Sequence, residues 1–71
     1  MSKLSENPVI KTFSRKVIHE RYRRGLSQEA LAVMGKCAIR TIQRLESGSQ
    51  SPTLPLALEL AKALEISLDD L

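Results

Sequence analysis

The stretch "AIRTIQRLES", residues 38–47, sets polar side chains around two apolar anchors. Arg40, Thr41, Gln43 and Arg44 interleave with Ile42 and Leu45. On a helix, residues three or four apart share a face. Ile42 and Leu45 can therefore hold one side to a core while Arg40 and Arg44 project together from the other. A guanidinium presents paired donors that match the acceptor edge of guanine, and a glutamine amide matches the edge of adenine. These residue types at this spacing suit the reading of base edges. They do not suit bond making: no nucleophile has a base at usable spacing, no glycine-rich loop could cradle a phosphate, and no metal-ligand set recurs. An enzyme is not expected, and neither is a cofactor.

Positioning such a helix requires a rigid mount, and the flanking sequence supplies one. Asn7 followed by Pro8 is a helix-start signal. Ile10, Phe13 and Val17 then recur at spacings of three and four, with Tyr22 four after Ile18, which predicts an amphipathic helix to about Arg24. Gly25 ends it. Ser27 caps the next helix, Glu29 suits its positive first turn, and Leu31 and Ala32 face inward. Gly35 closes that helix after two turns. A third helix over 39–47 follows with almost no linker and stops at Gly48. Two helices joined so tightly form a helix-turn-helix, in which the first braces the second and the second fits the DNA major groove. "SGSQSPT" reads as a loop. Thr53 caps a fourth helix, with Pro55 tolerable in its first turn. Leu54, Leu58 and Ala61 make one apolar stripe there, and Leu56, Leu60 and Ala63 another, more than one small core can cover. "SLDDL" starts a short fifth helix with Ser67 and Asp70 as a capping-box-like pair.

The bulk properties agree. A chain of 71 residues is one domain with a small core. Phe13 and Tyr22 are its only aromatics; a core of Leu, Ile and Ala suits packed helices, so the expected class is all-α. Residues 1–8 are expected to be a partly disordered arm and 9–71 the domain. Residues 1–44 hold ten Lys or Arg against three acids, a net of +7, and residues 45–71 hold one against five, a net of −4. That polarity suggests one face for a polyanion and another for something else. No apolar run reaches the roughly 20 residues of a membrane span, the start "MSKLSENP" lacks a leader's apolar run, and the single Cys37 fits a reducing compartment. The expected location is the cytoplasm.

Three segments together resemble the phage-repressor-like helix-turn-helix regulators of the Cro and xenobiotic-response-element type. They are "RGLSQEALA" at 24–32, "RTIQRLESG" at 40–48 and "SPTLPLALELAKALEISLDDL" at 51–71. The resemblance covers residues 9–71. It implies a lambda-repressor-like bundle of five short helices that binds double-stranded DNA sequence-specifically, usually as a homodimer. It further implies that Gln28 touches phosphate, that Ile39, Arg40, Gln43 and Arg44 lie over bases, and that Ser47, Ser49 and Gln50 approach the backbone. Thr41 and the turn residue Lys36 belong to the same expected DNA surface. By the same resemblance, Arg21 and Glu46 are expected to pair inside the bundle. The chain departs from the family at three places. Lys36 stands where the turn usually has Gly, Ala38 where the cap is usually Ser or Thr, and Glu65 where the fourth helix often ends in Gly.

Other residues admit blander readings. Cys37 could sense redox state, but a small buried apolar side chain is the simpler reading. His19 has no second ligand beside it and defaults to the surface. Arg15, Lys16, Arg23 and Arg24 either touch phosphates or are merely solvated. The alternative to a DNA reader is an antitoxin-like protein or adaptor that grips a protein partner through the apolar C-terminal half. The basic outward side of the third helix argues against a pure adaptor. RNA is a weaker option, because exposed aromatics for base stacking are missing.

Overall fold

The computed structural model describes residues 8–67. Four helices follow one another: α1 (Pro8–Arg23), α2 (Gln28–Met34), α3 (Ile39–Ser47) and α4 (Leu54–Leu64). The expected fifth helix, past its cap Ser67, falls on residues outside those described, as does the arm before Pro8. The chain is all-helical among the described residues, so the five-helix count is corrected to four there. No described helix is long and apolar enough to cross a membrane.

Each helix buries one stripe. Phe13, Val17 and Arg21 follow at four-residue spacing on α1, and all three are buried. Leu31 and Ala32 of α2, Ile42 and Leu45 of α3, and Leu60, Ala61 and Leu64 of α4 complete the core. Leu26, Cys37, Leu56, Ala57 and Ile66 pack around it. α2 packs on α3, and both α1 and α2 pack on α4, with α1 also crossing α3. Two sequence readings shift. Tyr22 is 70 % exposed, because the inward row of α1 ends on Arg21 and not on the ring one residue later. On α4 only part of the apolar surface is covered: Leu54 and Leu58 stay exposed, four residues apart.

The helix ends follow the capping logic. Ser27 Oγ accepts from Ala30 N–H at 3.0 Å, and Thr53 Oγ1 accepts from Leu56 N–H at 3.4 Å. Ala38 has no side chain to cap α3. Gly48 closes α3 in the left-handed conformation, with φ +80°.

The corner between α2 and α3 resolves an ambiguity in the sequence. Gly35 has ordinary helical dihedrals, with φ −84°, and Lys36 takes the left-handed conformation, with φ +57°. A glycine is present one residue early for a steric reason. A Cβ at position 35 would lie 2.8 Å from Leu60 Cδ2, whose side chain is fully buried. Glycine thus lets the end of α2 touch α4, while Lys36 carries the dihedral strain, about 1–2 kcal/mol. Glu65 does the same at the end of α4, with φ +56°. Opposite effects are expected at the two corner positions. Lys36→Gly should relieve strain and gain up to about 1 kcal/mol after the entropy of the unfolded chain is subtracted. Gly35→Ala should overpack and lose about 1–3 kcal/mol. Urea denaturation of both variants checks this; equal signs would contradict the steric assignment.

Candidate nucleic-acid interface

α3 presents the side chains that the sequence singled out. Arg40, Gln43 and Arg44 are exposed, while Ile42 and Leu45 are fully buried beneath them. Ile39 is 40 % exposed at the start of the helix. Thr41 is half-buried and lines a depression with Lys36, Gln50 and Thr53, so it sits toward the flank of the helix. Lys36 is exposed, with Nζ 4.0 Å from Glu59 Oε2.

What holds α3 at its angle is a buried ion pair. Arg21 Nε donates to Glu46 Oε2 at 2.7 Å and Nη2 donates to Glu46 Oε1 at 2.9 Å. Both side chains are only 8 % exposed. The third guanidinium nitrogen, Nη1, donates to the Leu26 carbonyl at 3.0 Å. The Glu46 carboxylate holds Arg21 above its ordinary pKa, against the opposing effect of burial. Gln28 Nε2 adds a further bond to Glu46 Oε1 at 3.0 Å. The family resemblance pointed Gln28 at phosphate and gave no sign of this inward bond. Its spacing from Glu46 is 18 residues, beyond any helical periodicity. One carboxylate therefore ties together α1, the start of α2 and the end of α3.

The far end of α3 is closed by its own loop. Ser49 N–H and Gln50 N–H donate to the Arg44 carbonyl at 3.0 and 3.3 Å. Gly48 N–H donates to the Arg44 and Leu45 carbonyls. Ser47 Oγ donates to Arg44 O at 3.1 Å and lies 3.0 Å from Ser49 Oγ. Ser47, Ser49 and Gln50 are all exposed.

The basic residues of α1 divide. Arg23 donates to Glu20 at 2.7 Å, which holds the Glu20 carboxyl below its usual range. Arg24 Nη2 donates to the Leu64 carbonyl at 2.9 Å and approaches Glu65 at 3.6 Å. Arg23 and Arg24 thus stitch α1 to itself and to the end of α4. Arg15 and Lys16 have no carboxylate partner among the described residues. His19 is exposed.

Cys37 is half-buried beside the corner, and burial pushes its thiol up. Thiolate is the reactive form. At pH 8, Cys37 is expected to alkylate more slowly in the folded chain than in denaturant, with its rate inflection displaced to higher pH. Equal rates in both conditions would contradict the burial. The buried pair has the larger consequence for stability. Glu46→Gln leaves a charged Arg21 without its counter-ion and is expected to cost about 3–5 kcal/mol in a denaturant titration; an unchanged midpoint would rule out the pair as the strut of α3.

Comparison with known families agrees with this geometry. A family model described as "Helix-turn-helix" matches residues 20–71. No curated protein and no solved structure matches the chain.

Proposed function

From a chain that belongs to the Cro-type helix-turn-helix family of phage repressors and xenobiotic-response-element-type regulators, a family of DNA-binding regulators, we propose a sequence-specific transcriptional regulator that lays α3 in the major groove. The observation that carries this reading is the division of α3: Arg40, Gln43 and Arg44 are exposed, with Ile42 and Leu45 buried opposite them. A helix so anchored has its polar residues committed to whatever approaches from outside. The major groove admits one α-helix, and these side chains match its edges.

Each residue then has a role. Arg40 and Arg44 pair with guanines, each bidentate contact supplying about 1–3 kcal/mol of discrimination. Gln43 reads an adjacent base, and Ile39 offers an apolar contact to a thymine methyl. Gln28, Lys36, Thr41, Ser47, Ser49 and Gln50 touch the sugar-phosphate backbone and set the register. The second N–H of Gln28 remains for this, since only one N–H is spent on Glu46. The active species is a homodimer joined through the Leu54 and Leu58 face and the chain from Ile66 onward. Two-fold symmetry then spaces two copies of α3 about 34 Å apart, one turn of DNA. The working compartment is the cytoplasm, where the DNA of a regulator of this type resides.

Selection of bound duplexes from a random pool tests the reading. The expected result is an inverted repeat with half-sites one turn apart. Arg44→Ala should then relax preference at a single base pair per half-site. If it instead weakens all sequences alike and flattens the salt dependence by about one unit, Arg44 is a phosphate ligand. Sedimentation at tens of micromolar should give a dimer. A monomer that also selects no sequence would favour the antitoxin-like or adaptor reading, with the Leu54 and Leu58 face as the grip for a protein partner.

A further inference from the structure

The described cations fall into two sets. Arg21, Arg23, Arg24 and Lys36 each lie within ion-pair distance of a carboxylate. Lys11, Arg15, Lys16, Arg40, Arg44 and Lys62 have no such partner among the described residues. Two of the unpaired set, Arg40 and Arg44, stand on α3. Two more, Lys11 and Arg15, line a cleft between the first half of α1 and the end of α3, together with Ser47, Gly48 and Gln50. The cleft is open and encloses about 300 Å³, room for a phosphate group and its waters. Both basic side chains are exposed.

We propose that Lys11 and Arg15 form a second phosphate-binding rail, which grips the DNA strand as it leaves the end of α3. The inference rests on the DNA-binding reading above and extends the contact surface onto α1. The argument is electrostatic. The C-terminal end of a helix carries partial negative charge and repels an anion. At the end of α3 the N–H groups of Gly48, Ser49 and Gln50 all turn back onto the Arg44 and Leu45 carbonyls. Those three N–H groups are therefore not free to aim at a phosphate. Hydroxyl and amide side chains are neutral, so attraction for the strand must come from a neighbouring element. Lys11 and Arg15 are the cations that line this cleft.

Glu46 also lines the cleft, and an unpaired carboxylate would repel a phosphate. Its charge is spent: Oε1 accepts from Arg21 Nη2 and Gln28, and Oε2 accepts from Arg21 Nε. The cleft is therefore net positive. Lys11 and Arg15 are four residues apart on one face of α1, about 6 Å along the helix. That exceeds the roughly 3.4 Å axial step between charges of one strand, so the two side chains can serve two phosphates.

The test measures affinity for a selected duplex against salt concentration, for the full chain and for a Lys11→Ala/Arg15→Ala variant. Each phosphate contact contributes about 0.9 to the slope of log affinity on log salt. The double variant should lose close to two units of slope, bind more weakly at low salt and keep the same base preference. Both residues are exposed, so its melting temperature should match the parent. Lys16→Ala, on α1 but lining a different depression, should leave the slope unchanged. An unaltered slope in the double variant overturns the rail. So does an equal loss in Lys16→Ala, which would make the effect one of net charge. If the unsubstituted chain binds no duplex, the DNA-binding reading fails, and the rail fails with it.

Discussion

The structure depends on one carboxylate and one guanidinium meeting out of water. Arg21 fixes the end of α1, the Leu26 carbonyl fixes the turn into α2, and Glu46 fixes the end of α3. Gln28 brings in the start of α2. Three elements that contribute little surface individually are thereby locked at one geometry. A buried ion pair is a poor source of net stability, since desolvation cancels much of its attraction. Its value here is orientation. Both oxygens and all three guanidinium nitrogens are engaged, so a rotated α3 would strand charge in the core. Apolar packing of Ile42 and Leu45 alone would tolerate a range of angles; the ion pair does not.

The helix boundaries were largely legible in the sequence because the signals are local. Ser27, Thr53 and Gly48 perform the capping that their residue types suggest. The pairing of Arg21 with Glu46 is 25 residues long-range, and no periodicity points to it; only the family resemblance did. Three features needed the packed structure. Gly35 looks like a turn glycine but is required for its lack of volume against Leu60. Tyr22 fits the amphipathic pattern of α1 yet lies outside, with Arg21 stacked 4.5 Å from its ring centroid. Thr41 reads as outward from its neighbours, but it is half-buried and shares a depression with Pro55 and Leu56 at the start of α4. On the outer side of α3, the exposure of Arg40, Gln43 and Arg44 followed from the burial of Ile42 and Leu45. Lys11 lay too far from the corner in sequence to draw notice. Its position four before Arg15 was the available signal.

Charge polarity along the chain has a different meaning in three dimensions. A basic N-terminal half and an acidic C-terminal half suggested two separate faces. Instead the described acids of the second half cross over: Glu46 meets Arg21, Glu59 meets Lys36, and Glu65 meets Arg24. The pairing neutralises the basic residues that brace the bundle. The positive field that survives is concentrated on α3 and the first half of α1. Net charge thus understates the local potential, because Lys11, Arg15, Arg40 and Arg44 have no carboxylate partner among the described residues to offset them.

Two of those crossing pairs begin at residues in left-handed backbone, Lys36 and Glu65. Glycine would relax either turn but would carry no charge to α4 or α1. Backbone strain of about 1 kcal/mol or more at each site is thus set against an exposed ion pair that contributes about 1 kcal/mol at best. Strain is indifferent to ionic strength, whereas the attraction fades once the Debye length shrinks to a few ångströms. Dilute buffer therefore offsets part of the strain, and concentrated salt leaves it uncompensated. The contribution of these two turns to stability thus falls as ionic strength rises, with no polyanion in solution.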